Sequence, residues 1–209
     1  VSQACNQIEK YAHEGVFTGL FSLVQIFVAM EPAETVYFAN PGKDGDFSLY
    51  RFHWADFNNE PINEWQRVIA TLLFIPMAHQ LIGFYSVADE RDATLKVMRS
   101  YQYYAAAAIS DRVRRASWDK RGARGGYVWH TTGSGKTMTS FKSAQLIADS
   151  KDANKVVFLV DRIELGTQSL DEYRNFANDS TTVQATQDTD VLRSRLKSDN
   201  PADTLIVTS

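Results

Sequence analysis

The sequence predicts an α/β fold in its C-terminal part, a parallel sheet covered by helices on both faces. Three observations predict it. Strand-like and helix-like segments alternate from Gly126 onward. The run Val156-Val157-Phe158-Leu159-Val160 is apolar throughout, as a strand buried on both faces has to be. A Gly-rich turn, Thr132-Gly133-Ser134-Gly135-Lys136-Thr137, joins a strand pattern to a helix pattern. An α+β segment and a helical connector come before it.

Residues 1–14 read as a helix that stops near Gly15. Leu20–Met30, Thr35–Asn40 and Phe47–Trp54 are β-branched and aromatic runs, divided by Glu-Pro and Asn-Pro-Gly-Lys-Asp-Gly turn signals, so they read as strands of a small sheet. From Pro61 to about Phe84 the pattern is helical, with Trp65, Val68, Ile69, Leu72 and Leu73 on one face. Pro76 should kink or divide that helix, because its ring clashes with the preceding turn and it lacks an N–H. Ser100–Trp118 reads as a further helix, Ala-rich first and Arg-studded later, and Lys120–Gly125 as a flexible basic connector. Beyond it come a strand over Gly126–His130, a helix over Lys136–Ser150 and a strand over Lys155–Val160. Helices over Glu164–Phe176 and Asp188–Lys197 and a strand over Thr204–Thr208 complete the order. The expected division is therefore 1–60, 61–125 and 126–209.

Composition narrows the class. The 209 residues are 44% hydrophobic and 22% charged, as in ordinary globular proteins. The net charge of −3 says nothing about partners, but its distribution does. Residues 91–125 carry nine Lys and Arg against three Asp and Glu, between two mildly acidic parts. Such a band fits a surface that meets phosphate backbone, and equally a solvated helix face. The single cysteine, Cys5, forbids an internal disulfide and suggests a reducing, cytoplasmic setting. No run of 18 apolar residues is present. The chain opens on Val and closes on a strand pattern, which reads as a piece of something larger.

The most specific motif is the turn His130-Thr131-Thr132-Gly133-Ser134-Gly135-Lys136-Thr137. A nucleoside triphosphate needs many donors converging on its oxygens with no side-chain bulk in the way. Gly133 and Gly135 let the backbone fold round the phosphates, and the N–H groups opening the next helix point at them. Lys136 places charge on the β- and γ-phosphates, and the Thr137 hydroxyl suits magnesium. His130 stands where the strict pattern has Gly. His13, His53 and His79 show no ligand spacing, and Trp54, Trp65, Trp118 and Trp129 read as packing aromatics. Arg112, Arg114, Arg115, Arg121 and Arg124 fit phosphate contacts or a solvated face alike.

His-Thr-Thr-Gly-Ser-Gly-Lys-Thr after Gly-Gly-Tyr-Val-Trp resembles motif I of superfamily 2 helicases, and specifically that of the motor and endonuclease (R) subunit of type I restriction enzymes. Arg99-Ser100-Tyr101-Gln102 resembles that family's adenine-side element, and a Gln amide can both donate to and accept from the adenine edge. Val160-Asp161-Arg162 through Gln168 resembles motif Ia, on the nucleic-acid side, at the carboxyl end of a strand where ligands of open α/β sheets gather. The alternative there is that Asp161 caps the helix and Arg162 forms a surface ion pair. Ile206-Val207-Thr208-Ser209 resembles the start of the next DNA-side motif. Asn6-Gln7-Ile8-Glu9-Lys10-Tyr11 resembles the Gln-x-x-x-Tyr element that follows the nuclease metal ligands, and Gln7 and Tyr11 share one helix face.

The resemblance implies a RecA-like motor domain, seen in part, behind the tail of a nuclease domain. It implies ATP with Mg2+, double-stranded DNA, and methyltransferase and specificity subunits as partners. The implied activity is ATP-driven DNA translocation followed by cleavage of unmodified DNA. Nucleotide contacts would fall to Arg99, Gln102 and Thr132 through Thr137, with Lys136 and Thr137 catalytic. DNA-side contacts would fall to Gln7, Tyr11, Asp161, Arg162, Gln168 and Thr208. The nuclease metal ligands, the Asp-Glu box and the second motor domain have no counterpart in these 209 residues, so this piece alone is expected to be inactive. Another superfamily 2 helicase, or a non-catalytic nucleotide-binding module, stays open on sequence alone.

Overall fold

The computed structural model describes residues 1–42, 45–116, 125–160, 163–177 and 182–209, and the chain divides into two compact units, Val1–Tyr104 and Ala105–Ser209.

The first unit opens with helix α1 (Ser2–His13), followed by the antiparallel hairpin of β1 (Ile26–Glu31) and β2 (Glu34–Ala39), registered from Ile26 opposite Ala39 to Glu31 opposite Glu34. Cys5 and Ala12 of α1, Phe27 and Ala29 of β1, Val36 and Phe38 of β2, and Phe47 make one core, with the Phe17 and Phe27 rings 4.9 Å apart. The predicted strand Leu20–Met30 begins only at Ile26. Gly19, at φ +56°, opens a 3-10 turn over Gly19–Leu23 that leaves Leu20, Phe21 and Leu23 exposed. The predicted strand Phe47–Trp54 reduces to one bridge, in which Tyr37 and Phe52 exchange backbone hydrogen bonds of 2.8 and 2.9 Å. Tyr50 at φ +57° interrupts the extended run there, since a β-ladder cannot pass through a left-handed residue.

The helical stretch is divided as expected, into α2 (Trp65–Thr71) and α3 (Ile75–Gly83). Pro76 sits in the first turn of α3, where its missing N–H has no helical acceptor to lose. Of the predicted apolar face, Val68 and Leu72 are buried while Trp65, Ile69 and Leu73 remain exposed. A hairpin of β3 (Ser86–Asp89) and β4 (Thr94–Val97) was not evident in the sequence, its four-residue strands being too short for a periodicity to show. Helix α4 (Ser100–Arg114) follows and passes from the first unit into the second.

The second unit alternates α5 (Lys136–Asp149), β5 (Val156–Leu159), α6 (Ile163–Phe176), β6 (Val183–Thr186), α7 (Thr189–Lys197) and β7 (Leu205–Thr208). Its sheet is parallel in the order β5-β7-β6, with Leu159, Thr208 and Thr186 level at the carboxyl end. The expected mixed α/β class and parallel sheet are therefore present. Tyr173 of α6 stacks on Phe158 with ring centres 5.0 Å apart and meets Phe141 of α5 edge-on at 5.3 Å, which fastens both helices to β5. The expectation of a strand over Gly126–His130 is corrected. Among the described residues no strand forms a ladder with this segment, and Tyr127 and Trp129 are 91% and 89% exposed. Without a ladder partner, an apolar run has no means of satisfying its backbone as a strand, whatever its propensity.

Candidate nucleotide site

The loop ahead of α5 has the conformation its glycines permit. Gly133 and Gly135 lie at φ +76° and +77°, the left-handed region that side chains avoid, and a Cβ on Gly133 would meet only open space. The position therefore needs glycine for its backbone angle and not for room. Gly135 is the N-cap of α5 and, as a glycine, supplies no side-chain cap, so the positive end of the helix dipole lies at the loop. The Lys136 ammonium donates to the Thr131 carbonyl at 3.1 Å, and the Ser134 hydroxyl donates to the same carbonyl at 2.7 Å. His130 Nδ1 lies 2.8 Å from Ser134 Oγ. Burial first, then the Lys136 charge, pushes the His130 pKa below the ordinary imidazole value. Thr137 occupies the first turn of α5, and its carbonyl accepts from Ser140 Oγ at 3.0 Å; Ser140 in turn accepts from the buried Tyr173 hydroxyl at 2.8 Å. The loop is thus tied to the core of its own unit through Thr137. Thr132 is exposed on the arch.

Arg99 and Gln102 belong to the first unit, at the start of α4. Gln102 Oε1 accepts from the Arg99 backbone N–H at 3.0 Å and the residue is 4% exposed, so its amide closes half of a capping box. Sequence reasoning missed this role, although a Gln three residues after a helix start is its signal. The Arg99 guanidinium lies 4.7 Å from the Phe52 ring centre and donates to the Tyr101 hydroxyl at 3.3 Å. Arg99, Ser100 and Tyr101 line an open cleft of about 420 Å³ with Phe52, His53 and Trp54.

Gln7 and Tyr11 lie on the outward side of α1, away from the Cys5 and Ala12 face that packs on the hairpin. Asp161 and Arg162 fall outside the described residues. Gln168 is exposed on α6, where its amide donates to Glu172 Oε1 at 3.3 Å. Thr208 ends β7 and, with Thr167 of α6 and Thr186 of β6, lines a recess of about 280 Å³ at the carboxyl end of the sheet. Thr167 falls within the segment read as motif Ia, whereas Thr186 escaped sequence reasoning because β6, half polar as Val-Gln-Ala-Thr, carries no strand signal. In the basic band, Arg114 and Arg115 both pair with Asp111, at 2.6 and 3.2 Å, on the exposed side of α4. Among the described residues no group of three His, Cys, Asp or Glu could hold a metal ion, and no helix is long and apolar enough to cross a membrane.

The profile of the SWI2/SNF2 ATPase family matches residues 101–209. The chain is similar to the endonuclease subunit of the type I restriction enzyme SauCOLORF180P from Staphylococcus aureus, at 36% identity over 85% of this chain and 18% of that protein. It is similar to the SsaAORF53P endonuclease subunit from Staphylococcus saprophyticus, at 35% over 94% of this chain and 20% of that protein. The EcoprrI endonuclease subunit of Escherichia coli is 30% identical over 62% of this chain and 42% of its own length. The chain thus spans about a fifth of the length of the two staphylococcal relatives. The resemblance to type I restriction endonuclease subunits drawn from the motifs is borne out by these relatives.

Proposed function

The chain belongs to the SWI2/SNF2 ATPase family, and from that premise we propose that it contributes the triphosphate-binding half of a RecA-like DNA motor in a type I restriction enzyme. Within this reading residues 1–60 are the tail of the nuclease domain, 61–125 the connector with the adenine-side element, and 126–209 the first half of the motor domain. The full-length protein would hydrolyse ATP, draw double-stranded DNA past itself and cut it, in complex with methyltransferase and specificity subunits in the cytoplasm.

The observation that carries the reading is the arch before α5. Two left-handed glycines, a lysine ammonium held at the loop and a helix start with glycine at its N-cap supply what a triphosphate requires and what few other ligands would use together. Arg99 and Gln102, at the start of α4, are assigned to the adenine side. Magnesium fits as an ion carried by the nucleotide. One hydroxyl, Thr137, stands at the helix start, and phosphate oxygens and water would complete the shell, as this ion prefers. It would neutralise charge on the phosphates. Thr208, Gln168, Asp161 and Arg162 are assigned to the DNA side, as are Gln7 and Tyr11 in the nuclease tail.

Lys136→Ala in the full-length protein is expected to abolish ATP hydrolysis and translocation while DNA association in a gel-shift titration stays within about twofold of wild type, because the lysine acts on phosphates of the nucleotide alone. Undiminished DNA-stimulated ATPase in that variant would overturn the reading.

A further inference from the structure

The position where the strict P-loop pattern has glycine is filled by a histidine with a defined partner. The Ser134 hydroxyl has a single proton, and it is directed to the Thr131 carbonyl at 2.7 Å. The contact of 2.8 Å between Ser134 Oγ and His130 Nδ1 must then be donated from the ring. The alternative would leave two lone pairs facing each other across the Ser134–His130 contact. The geometry therefore calls for a proton on Nδ1. The bond spans four residues and closes the loop across its mouth, from the last residue of the incoming segment to the residue between the two left-handed glycines.

That position has a mechanical consequence. Gly133 and Gly135 are the two most permissive hinges in the loop, and Ser134 is the one side chain between them. The chain entering at Tyr127–Trp129 has no ladder partner among the described residues, so the sheet there does not hold the start of the arch. Side-chain bonds from Ser134 to Thr131 and His130 hold it instead. A bond of this kind lowers the entropy cost of ordering the arch on a ligand, and so appears in affinity more than in turnover.

We infer that His130 is a positioning residue for the triphosphate: through Nδ1–H it holds Ser134, and with it the Gly133–Gly135 arch, in the form that receives phosphate. A neutral Nδ1–H ring and an imidazolium would both donate this bond; burial first, then the Lys136 charge, favours the neutral form. The inference rests on the reading of the loop as a triphosphate site.

The test is a titration of the full-length protein with a fluorescent ATP analogue and magnesium, alongside steady-state ATPase kinetics. His130→Ala is expected to raise the dissociation constant and KM by about 5- to 15-fold, the worth of one hydrogen bond, with kcat changed less than about twofold. His130→Asn, whose amide N–H falls near the Nδ1 position, should recover affinity to within about threefold of wild type. Ser134→Ala, which also loses the bond to the Thr131 carbonyl, should weaken affinity at least as much as His130→Ala, and the double variant should be no weaker than Ser134→Ala alone. Unchanged affinity in His130→Ala, or a multiplied loss in the double variant, overturns the inference. Lys136→Ala separates the two levels: if it too leaves nucleotide affinity unchanged, the triphosphate reading itself has failed. Should His130→Ala not fold, Ser134→Ala and His130→Asn carry the comparison unaided.

Discussion

Lys142 lies on the buried side of α5, 6% exposed, and its ammonium donates to Gln145 Oε1 at 2.7 Å. Burial lowers its pKa from 10.5 to about 8, against a weaker opposing pull from Asp149. Between pH 8 and 10.5 the unfolded chain holds a proton at this position that the folded chain has lost, so stability rises with pH across that window and its deficit is greatest below it. Lys142→Met should therefore flatten the rise between pH 8 and 10.5 and leave stability at pH 7 equal or higher, by up to about 2 kcal/mol. Urea unfolding at about pH 7 and about pH 9.5, on either side of the folded-state value, checks both parts, and an undiminished pH slope in the Met variant would sink the assignment. At the other face of the helix, Tyr173→Phe removes the donor to Ser140 but leaves that hydroxyl its bond to the Thr137 carbonyl. The expected cost is about 1 kcal/mol, seen as a lower denaturation midpoint.

Among the elements, α7 shows how much a helix start owes to one residue. Asp188 Oδ1 accepts from the N–H groups of Asp190 and Val191 at 2.8 and 3.0 Å. Asp188→Ala should cost about 1 kcal/mol in the same unfolding measurement, while Asp188→Asn should cost little. This helix was legible in the sequence because its cap is local, and so were α5, α6 and the division at Pro76. The P-loop was legible for the same reason, since Gly133, Gly135, Lys136 and Thr137 act within a few residues of one another. What escaped depends on partners distant in sequence. Tyr127-Val128-Trp129 has every propensity of a strand and no neighbour among the described residues to pair with, while β6 pairs with β7 despite half its residues being polar. Phe47–Trp54 failed as a strand through one left-handed residue, Tyr50, whose angle no composition rule reveals. Gln102 was read for its amide chemistry, and its capping bond became visible only with the backbone of Arg99 in place.

For the molecule as a whole, the uneven charge and the two units each predict something measurable. If the basic band meets DNA, Arg114→Ala with Arg115→Ala should lessen the slope of log affinity against log salt by about 2, at about 0.9 for each phosphate that these side chains would neutralise. Their pairing with Asp111 does not oppose this, because exposed ion pairs exchange partners at small cost. An unchanged slope would assign those side chains to solvent. With magnesium and an ATP analogue, amide exchange should slow in 130–140 and stay unaltered in the hairpin of β1 and β2, which shares no unit with the loop. Trp129 gives the same event an optical form. It stands in water immediately before His130, whereas Trp54 is 1% exposed beneath Tyr37, Tyr103 and Tyr104. Its indole emission should lie to the red and yield readily to acrylamide, while that of Trp54 lies to the blue and resists. The chain thus carries its own fluorophore one residue from the phosphate arch, and ordering of that arch should be visible in its spectrum without any label.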